Sequence, residues 1–485
     1  MSFVDIRFLF FFPTVVILNI LIPQRFRWVM LLIASYFFYM LWKPEYALLL
    51  LAITAVDFVA GIQMERATDD RVRKLYLFAS LLFNLGTLFV FKYFNFFFST
   101  IGDALHTLGV TGHLPMLSLL LPIGISFHIF QSLSYTIDVY TRRTKAVTHF
   151  GKFALFVSFF PQLVAGPIER PQHLLRQFFE DRPFSLDMAH RGAKLMAWGF
   201  FKKMVVADNL APLVNAVYTA PADFTGPSLI IATVLFAYQL YCDFSGYTDI
   251  ARGAALILGY DLVINFDRPY SATTVAEFWR RWHISLSSWL RDYVYLPLAL
   301  RGKKHSRTKI YMSLFVTFTL IGLWHGANWT YVILGMLHGM YLIVGSATER
   351  FRKRVFHTPP FLKRVVVFGL VCFSWIFFRA PSLDTALYIA THLFSNIANF
   401  FGSLTTATGI SHVITMSVPI QGTILGVAGI IVIEIVDMLR AHGTFAKITA
   451  RIPHYVGIAF FSIALFVLLL TGAFSRPEQF IYFQF

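Results

Sequence analysis

Cysteine is almost missing from this chain: Cys242 and Cys372 are the only two in 485 residues, and both lie within apolar stretches. That excludes a disulfide framework and a paired-cysteine metal site. Charge is scarce as well, at 14% of residues against 57% hydrophobic, and the mean hydropathy is +0.64. So little polar surface cannot cover a soluble globule of this length. There is no H-E-x-x-H, no P-loop and no G-x-G-x-x-G after a strand, which removes the familiar metal and nucleotide motifs. We expect no metal and no permanently bound cofactor. Ser245 lacks a G-x-S-x-G elbow, which argues against a serine nucleophile there.

Apolar sequence is what the chain has in quantity. It recurs at Phe8 to Ile22, Leu75 to Ile101, Ile310 to Leu323 and Val456 to Leu470, so residues 1–485 read as a single membrane-embedded domain with lipid as solvent. The net charge of +16 sits in clusters between these stretches: Arg66, Arg71, Arg73 and Lys74; Arg142, Arg143, Lys145 and Lys152; Arg301, Lys303, Lys304, Arg307 and Lys309; Arg350, Arg352, Lys353 and Arg354. The connections Gly102 to Met116, Thr219 to Pro227 and Ala380 to Val418 hold no Lys or Arg. This is positive-inside asymmetry. With no aromatic-interleaved basic stripe, it does not signal nucleic-acid binding.

Placing the basic clusters in the cytoplasm gives spans near 8–22, 28–42, 46–63, 75–101, 117–137, 192–218, 228–260, 310–328, 331–347, 365–379, 419–438 and 454–472, with both termini outside. The expected fold is an all-α polytopic membrane protein. Phe153 to Ile168 and Leu383 to Phe401 break the count and read as re-entrant or interfacial, which implies burial in protein or a wet cavity. The pairs Gly335/Gly339 and Gly422/Gly426 read as sites of close helix approach.

His325 lies in Ile321-Gly-Leu-Trp-His-Gly-Ala-Asn-Trp329, at the outer part of a span. An ionisable group there is costly and points to function. A neutral imidazole could serve as a general base; the alternative is a histidine that only bonds a neighbouring helix. Trp324 flanks it, Gly326 would admit a substrate and Asn328 could bind a carbonyl oxygen.

A second centre is Ser271 to Leu298, where Thr274 and Glu277 form a capping box and start a helix running through Arg280, Arg281, Trp282 and His283. Its stripe of Phe278, Trp282, Leu286, Trp289 and Tyr293 suits packing or an interfacial anchor. Arg280, Arg281 and Arg291 could meet an anionic ligand or lipid headgroups. Asp243, Ser245 and Asp249 sit in another apolar stretch and predict a buried polar network with Arg252 or Arg268. His128 and His338 read as structural.

Six stretches together resemble the membrane-bound O-acyltransferase (MBOAT) family, in the branch serving alginate and other exopolysaccharide O-acetylation. They are Phe159-Phe-Pro-Gln-Leu-Val-Ala-Gly-Pro-Ile168, Asp243-Phe-Ser-Gly-Tyr-Thr-Asp-Ile-Ala251, Asn265-Phe-Asp-Arg-Pro-Tyr270, Glu277-Phe-Trp-Arg-Arg-Trp-His-Ile-Ser-Leu286, Leu323-Trp-His-Gly326 and Phe480-Ile-Tyr-Phe-Gln-Phe485. Asp267 stands where the resemblance would lead one to expect another asparagine.

The resemblance implies that His325 and His283 are the catalytic pair, with Trp324, Gly326, Asn328, Trp282, Arg280, Arg281 and Asn265 along the substrate and donor path. It implies a ring of about 11–13 tilted helices around a thinned centre, with a cytoplasmic tunnel and an outer funnel. It also implies acetyl-CoA as donor substrate, a bacterial cytoplasmic (inner) membrane location and an extracytoplasmic SGNH-hydrolase-like acetyltransferase partner. D-alanyl or long-chain acyl transfer, and solute transport without covalent chemistry, are the alternatives.

Overall fold

The computed structural model describes residues 3–110, 112, 114–302, 306–355, 358–406, 416, 418–441, 443–444, 453–473 and 478–483. Lys303 and Lys304 of the third basic cluster, and Gln484 and Phe485 of the tail, lie outside the described residues. Among the described residues all regular structure is helical. The chain divides into two compact units, Met1–Met196 with Ile250–Ile264, and Ala197–Asp249 with Asn265–Phe485.

Six helices among the described residues are long and apolar enough to cross a membrane: Glu45–Arg66, Asp70–Thr107, Gly226–Ile257, Trp329–Ala347, Pro360–Arg379 and Ile420–Ala441. The protein is a multi-pass membrane protein. Gly226–Ile257, at 32 residues, is about 48 Å long at 1.5 Å per residue, well beyond a hydrocarbon core of about 30 Å. It is also the most deeply buried of the six, with 78% of its apolar window covered.

Two expected spans differ in detail. The span expected at 117–137 is helical only over Ile125–Tyr140. Pro122 lacks an N–H and biases the residue before it to extended backbone. The span expected at 192–218 is interrupted, running from Leu186–Phe200 through a π-helical segment, Phe201–Ala207, into Asp208–Thr219. That interruption matters for the site.

In the first unit, Phe153 to Ile168 is broken into the helix Phe150–Ser158 and the short turn Phe160–Leu163. Its freed backbone groups find side-chain partners, as they must in apolar surroundings. The Phe160 N–H donates to Ser35 Oγ at 3.0 Å. The Phe156 carbonyl accepts from Gln162 Nε2 at 2.9 Å and from Gln131 Nε2. His128 Nε2 stands 2.6 Å from the Leu163 carbonyl. The polar face of Ile125–Tyr140 therefore satisfies a broken neighbour, and His128 has the structural place read from the sequence. Replacing Gln131 by leucine should cost about 1 kcal/mol of stability, because Gln162 still serves the Phe156 carbonyl; thermal unfolding in detergent measures it.

In the second unit, Leu383 to Phe401 is likewise split, into Leu383–His392 and Ile397–Ser403, around Asn396 in the left-handed region (φ 52°). Gly335 lies against the Phe318 backbone and Gly426 against Leu210, close approaches that the glycine pairs allow.

Candidate active site

The helix Arg307–His325 is capped at its start by Ser306 Oγ, which accepts the Lys309 N–H at 3.2 Å, and ends on His325. Asn328 Oδ1 accepts the Thr330 N–H at 3.0 Å and caps the next helix, Trp329–Ala347. Three residues separate the two helices, so His325 is fixed at the tip of a tight helical hairpin, with 2% of its surface exposed. The cap engages the Asn328 side-chain oxygen; the amide N–H groups are the ones that could bind a carbonyl oxygen.

Gly326 faces a ring of its own hairpin. A Cβ there would stand 2.2 Å from the Tyr331 ring, so the small residue makes room for an aromatic ring of the same hairpin. Gly326→Ala should lower activity and stability together, by about 1–3 kcal/mol for the overpacking. Tyr331→Val, by removing the ring, should restore the Gly326→Ala chain in both assays.

His283 sits on a break in the chain. The helix Val275–Arg281 starts as expected, with Thr274 Oγ1 accepting the Glu277 N–H at 3.0 Å. Glu277 Oε2 reaches back one residue further than a capping box would, to the N–H and hydroxyl of Thr273, both at 2.8 Å. The continuous helix expected through His283 stops at Trp282, and a new one, Ile284–Leu290, begins after it. His283 itself is left-handed (φ 42°), which costs a non-glycine residue about 1–3 kcal/mol and persists only when surrounding bonds impose it.

Asn265 imposes it. Its carbonyl accepts the Ile284 N–H at 2.9 Å, and its Oδ1 accepts the Ser285 N–H at 3.1 Å and the Ser285 hydroxyl at 2.9 Å. The same Oδ1 lies 3.2 Å from His283 Nδ1. An amide oxygen only accepts, so Nδ1 carries the proton and Nε2 is the acceptor nitrogen. His283 is completely buried, and that burial holds its imidazole well below the ordinary histidine pKa.

Two rings link the histidines. Trp324 lies 5.5 Å from His283 and 5.1 Å from His325, and Tyr482 lies 6.3 Å and 5.7 Å from the same imidazoles, centroid to centroid. Phe244 packs edge-on against His283 at 4.7 Å, and Phe378 against His325 at 5.3 Å. The structure thus brings together His283, His325, Trp324 and Asn265. Trp282 is buried between Phe266 and Trp375, each 5.1 Å away, in a packing position. Arg280 is exposed, whereas Arg281 is held by Glu277 at 2.9 Å and Asp267 at 3.7 Å. Burial works against ionisation of Glu277, yet bonds from Thr273 and Arg281 keep its carboxyl below the usual range. His338 accepts from Trp279 Nε1 at 3.2 Å and is structural.

The family model for the membrane-bound O-acyltransferase family matches residues 89–390. A Pseudomonas aeruginosa protein named probable alginate O-acetylase is 39% identical over 391 residues, covering 80% of this chain and 74% of that one. The chain belongs to the membrane-bound O-acyltransferase family. Within this MBOAT family it falls in the alginate O-acetylase branch. A Helicobacter pylori peptidoglycan O-acetyltransferase is 33% identical over 386 residues, 74% of this chain and 72% of the other. A Streptococcus thermophilus teichoic acid D-alanyltransferase is 32% identical over 254 residues, 49% of this chain and 60% of the other. The protein is therefore an O-acyltransferase enzyme, and a transporter without covalent chemistry loses its ground.

The MBOAT match contains Asn265, His283 and His325, whereas Tyr482 lies beyond it. Tyr482 stands in the tail that carries the resemblance but was given no site role, and Phe378 was not singled out, because nothing local to either announces contact with a histidine. The acids of the long helix are met by cations the sequence reading did not name: Lys202 Nζ meets Asp249 at 2.6 Å and Ser245 Oγ at 3.0 Å, and Lys203 Nζ meets Asp243 at 2.6 Å and Asp208 at 2.8 Å. Arg268 donates to Asp267. The π-helical segment turns both adjacent lysines inward. Gly246 lets the long helix approach, since a Cβ there would stand 2.8 Å from the Gly199 carbonyl. Two lysines inside an apolar stretch were the available signal.

Proposed function

We propose that this enzyme takes acetyl from cytoplasmic acetyl-CoA and passes it to an extracytoplasmic hydroxyl for polysaccharide O-acetylation, with His325 as general base. The observation that carries this reading is the pair of buried imidazoles, His283 and His325, sharing Trp324 and Tyr482 as neighbours. In this reading residues 1–485 act as one domain, with a tunnel admitting the thioester from the cytoplasm and an outer funnel admitting the acceptor. Arg280 and Arg281 lie on the donor side, suited to the phosphates of the CoA moiety.

His325 removes the acceptor hydroxyl proton, the oxygen attacks the thioester carbonyl, and the carbon–sulfur bond breaks to release CoA. A thioester is already activated, so positioning and one base supply much of the acceleration. His283, with Nδ1 tied to Asn265, orients the thioester or takes the acyl group transiently. The acceptor is reached through an extracytoplasmic SGNH-hydrolase-like partner, from a bacterial inner membrane. The relatives named for alginate and peptidoglycan acetylation support an acetyl donor; the D-alanyltransferase relative favours D-alanyl as the second reading.

Donor competition separates them. Protein in proteoliposomes given acetyl-labelled CoA and acceptor should release free CoA and transfer label, and a D-alanyl carrier should not compete. Label transfer from the D-alanyl carrier alone would replace acetyl by D-alanyl.

A further inference from the structure

The second unit buries a cation between two carboxylates that the chemistry above does not use. Lys203, Asp208 and Asp243 have side-chain exposures of 3%, 1% and 2%, and one Nζ serves both acids. Buried ion pairs are poor sources of stability, because desolvation offsets most of the attraction. A specific geometry is the better-attested reason to keep one, and this cluster holds a specific geometry.

The second oxygen of Asp243 accepts the Ile481 N–H at 2.8 Å, and Lys203 Nζ donates to the Glu478 carbonyl at 3.0 Å. Both bonds reach main-chain atoms of the carboxy-terminal segment, from 238 and 275 residues away in sequence. Between and beyond them Phe480 stacks on Tyr247 at 4.6 Å, and Tyr482 lies 4.1 Å from Phe244. Ring contacts of this kind are adhesive but set no register along a chain. Two main-chain hydrogen bonds do, because a slip of one residue breaks both.

We propose that Lys203, acting with Asp208 and Asp243, is a positioning residue that docks segment 478–483 so that Tyr482 stands beside both His283 and His325. The proposal rests on the catalytic reading of those two histidines. Lys203 keeps Asp243 in place against the repulsion of Asp208. Without it, two carboxylates face each other in a dry site, and Asp243 leaves the Ile481 N–H.

The test uses the full chain with Cys242→Ala, Cys372→Ala and Ile481→Cys, reconstituted in proteoliposomes and treated with a membrane-permeant maleimide. The engineered thiol should react slowly, and adding Lys203→Met should make it react severalfold faster. In the chain with native Ile481, Lys203→Met should lower acetyl turnover by about ten- to a hundredfold with the acetyl-CoA KM unchanged, and Lys203→Arg should recover part of the loss. Ile481→Pro removes the tail's N–H, at the further cost of a fixed φ and a changed side chain, and should reproduce the loss of turnover while leaving every charge of the cluster in place. A thiol equally shielded with and without Lys203, or native turnover in Ile481→Pro, would overturn the docking role. Should the unaltered chain fail to turn over acetyl-CoA, the catalytic reading fails, while thiol shielding still reports docking.

Discussion

Replacing His325 by alanine should lower acetyl transfer by about two to four orders of magnitude, the usual contribution of a positioned base. The measurement is release of free CoA by protein in proteoliposomes supplied with acetyl-CoA and acceptor. Alanine also removes a ring that packs on Phe378 and Tyr482, so lost packing could mimic lost catalysis. His325→Gln is the control: it approximates the volume and can hydrogen-bond, but takes up no proton at neutral pH. If His325→Gln is as inactive as His325→Ala and both chains melt near the native temperature, the proton-accepting nitrogen is what matters. Native CoA release by either variant would remove His325 from the mechanism.

Asn265→Ala should behave almost as His283→Ala, each reducing turnover by about a hundredfold or more if a displaced His283 Nε2 can no longer meet the thioester or take its acyl group. The reasoning is geometric. Asn265 contributes the carbonyl and the amide oxygen that hold Ile284, Ser285 and His283 Nδ1. Alanine keeps the backbone carbonyl on Ile284 but takes the amide oxygen away from Ser285 and His283 Nδ1, so the imidazole loses its anchor and is displaced. Because both changes disable the same group, the double variant should be little worse than either single one, a non-additivity that a thermodynamic cycle measures directly. Additive losses would mean that Asn265 acts separately on substrate. Asn265→Asp keeps the acceptor oxygens and should retain more activity than Asn265→Ala.

Much of the site was legible because its signals are local. His325 is conspicuous as an ionisable residue between two rings at the end of an apolar stretch, and the Thr274 cap follows from residues three positions apart. Other features could not be read in that way. The break at His283 arises because Asn265, eighteen positions earlier, offers its backbone and side chain to Ile284 and Ser285. A helix pattern read from 271–298 alone runs straight through it. Gly326 resembles an opening until the Tyr331 ring is seen to fill the space.

By itself the sequence determined the solvent and the helical class and made His325 and His283 conspicuous, since hydropathy, charge placement and motif spacing are properties of contiguous residues. Tertiary structure alone decided which lysines meet the buried acids and which rings neighbour both imidazoles. The physical reason is that a desolvated charge takes whichever partner the packing presents. Here the π-helical turn at 201–207 presents Lys202 and Lys203, and through Lys203 and Asp243 the far end of the chain is bound beside the histidines.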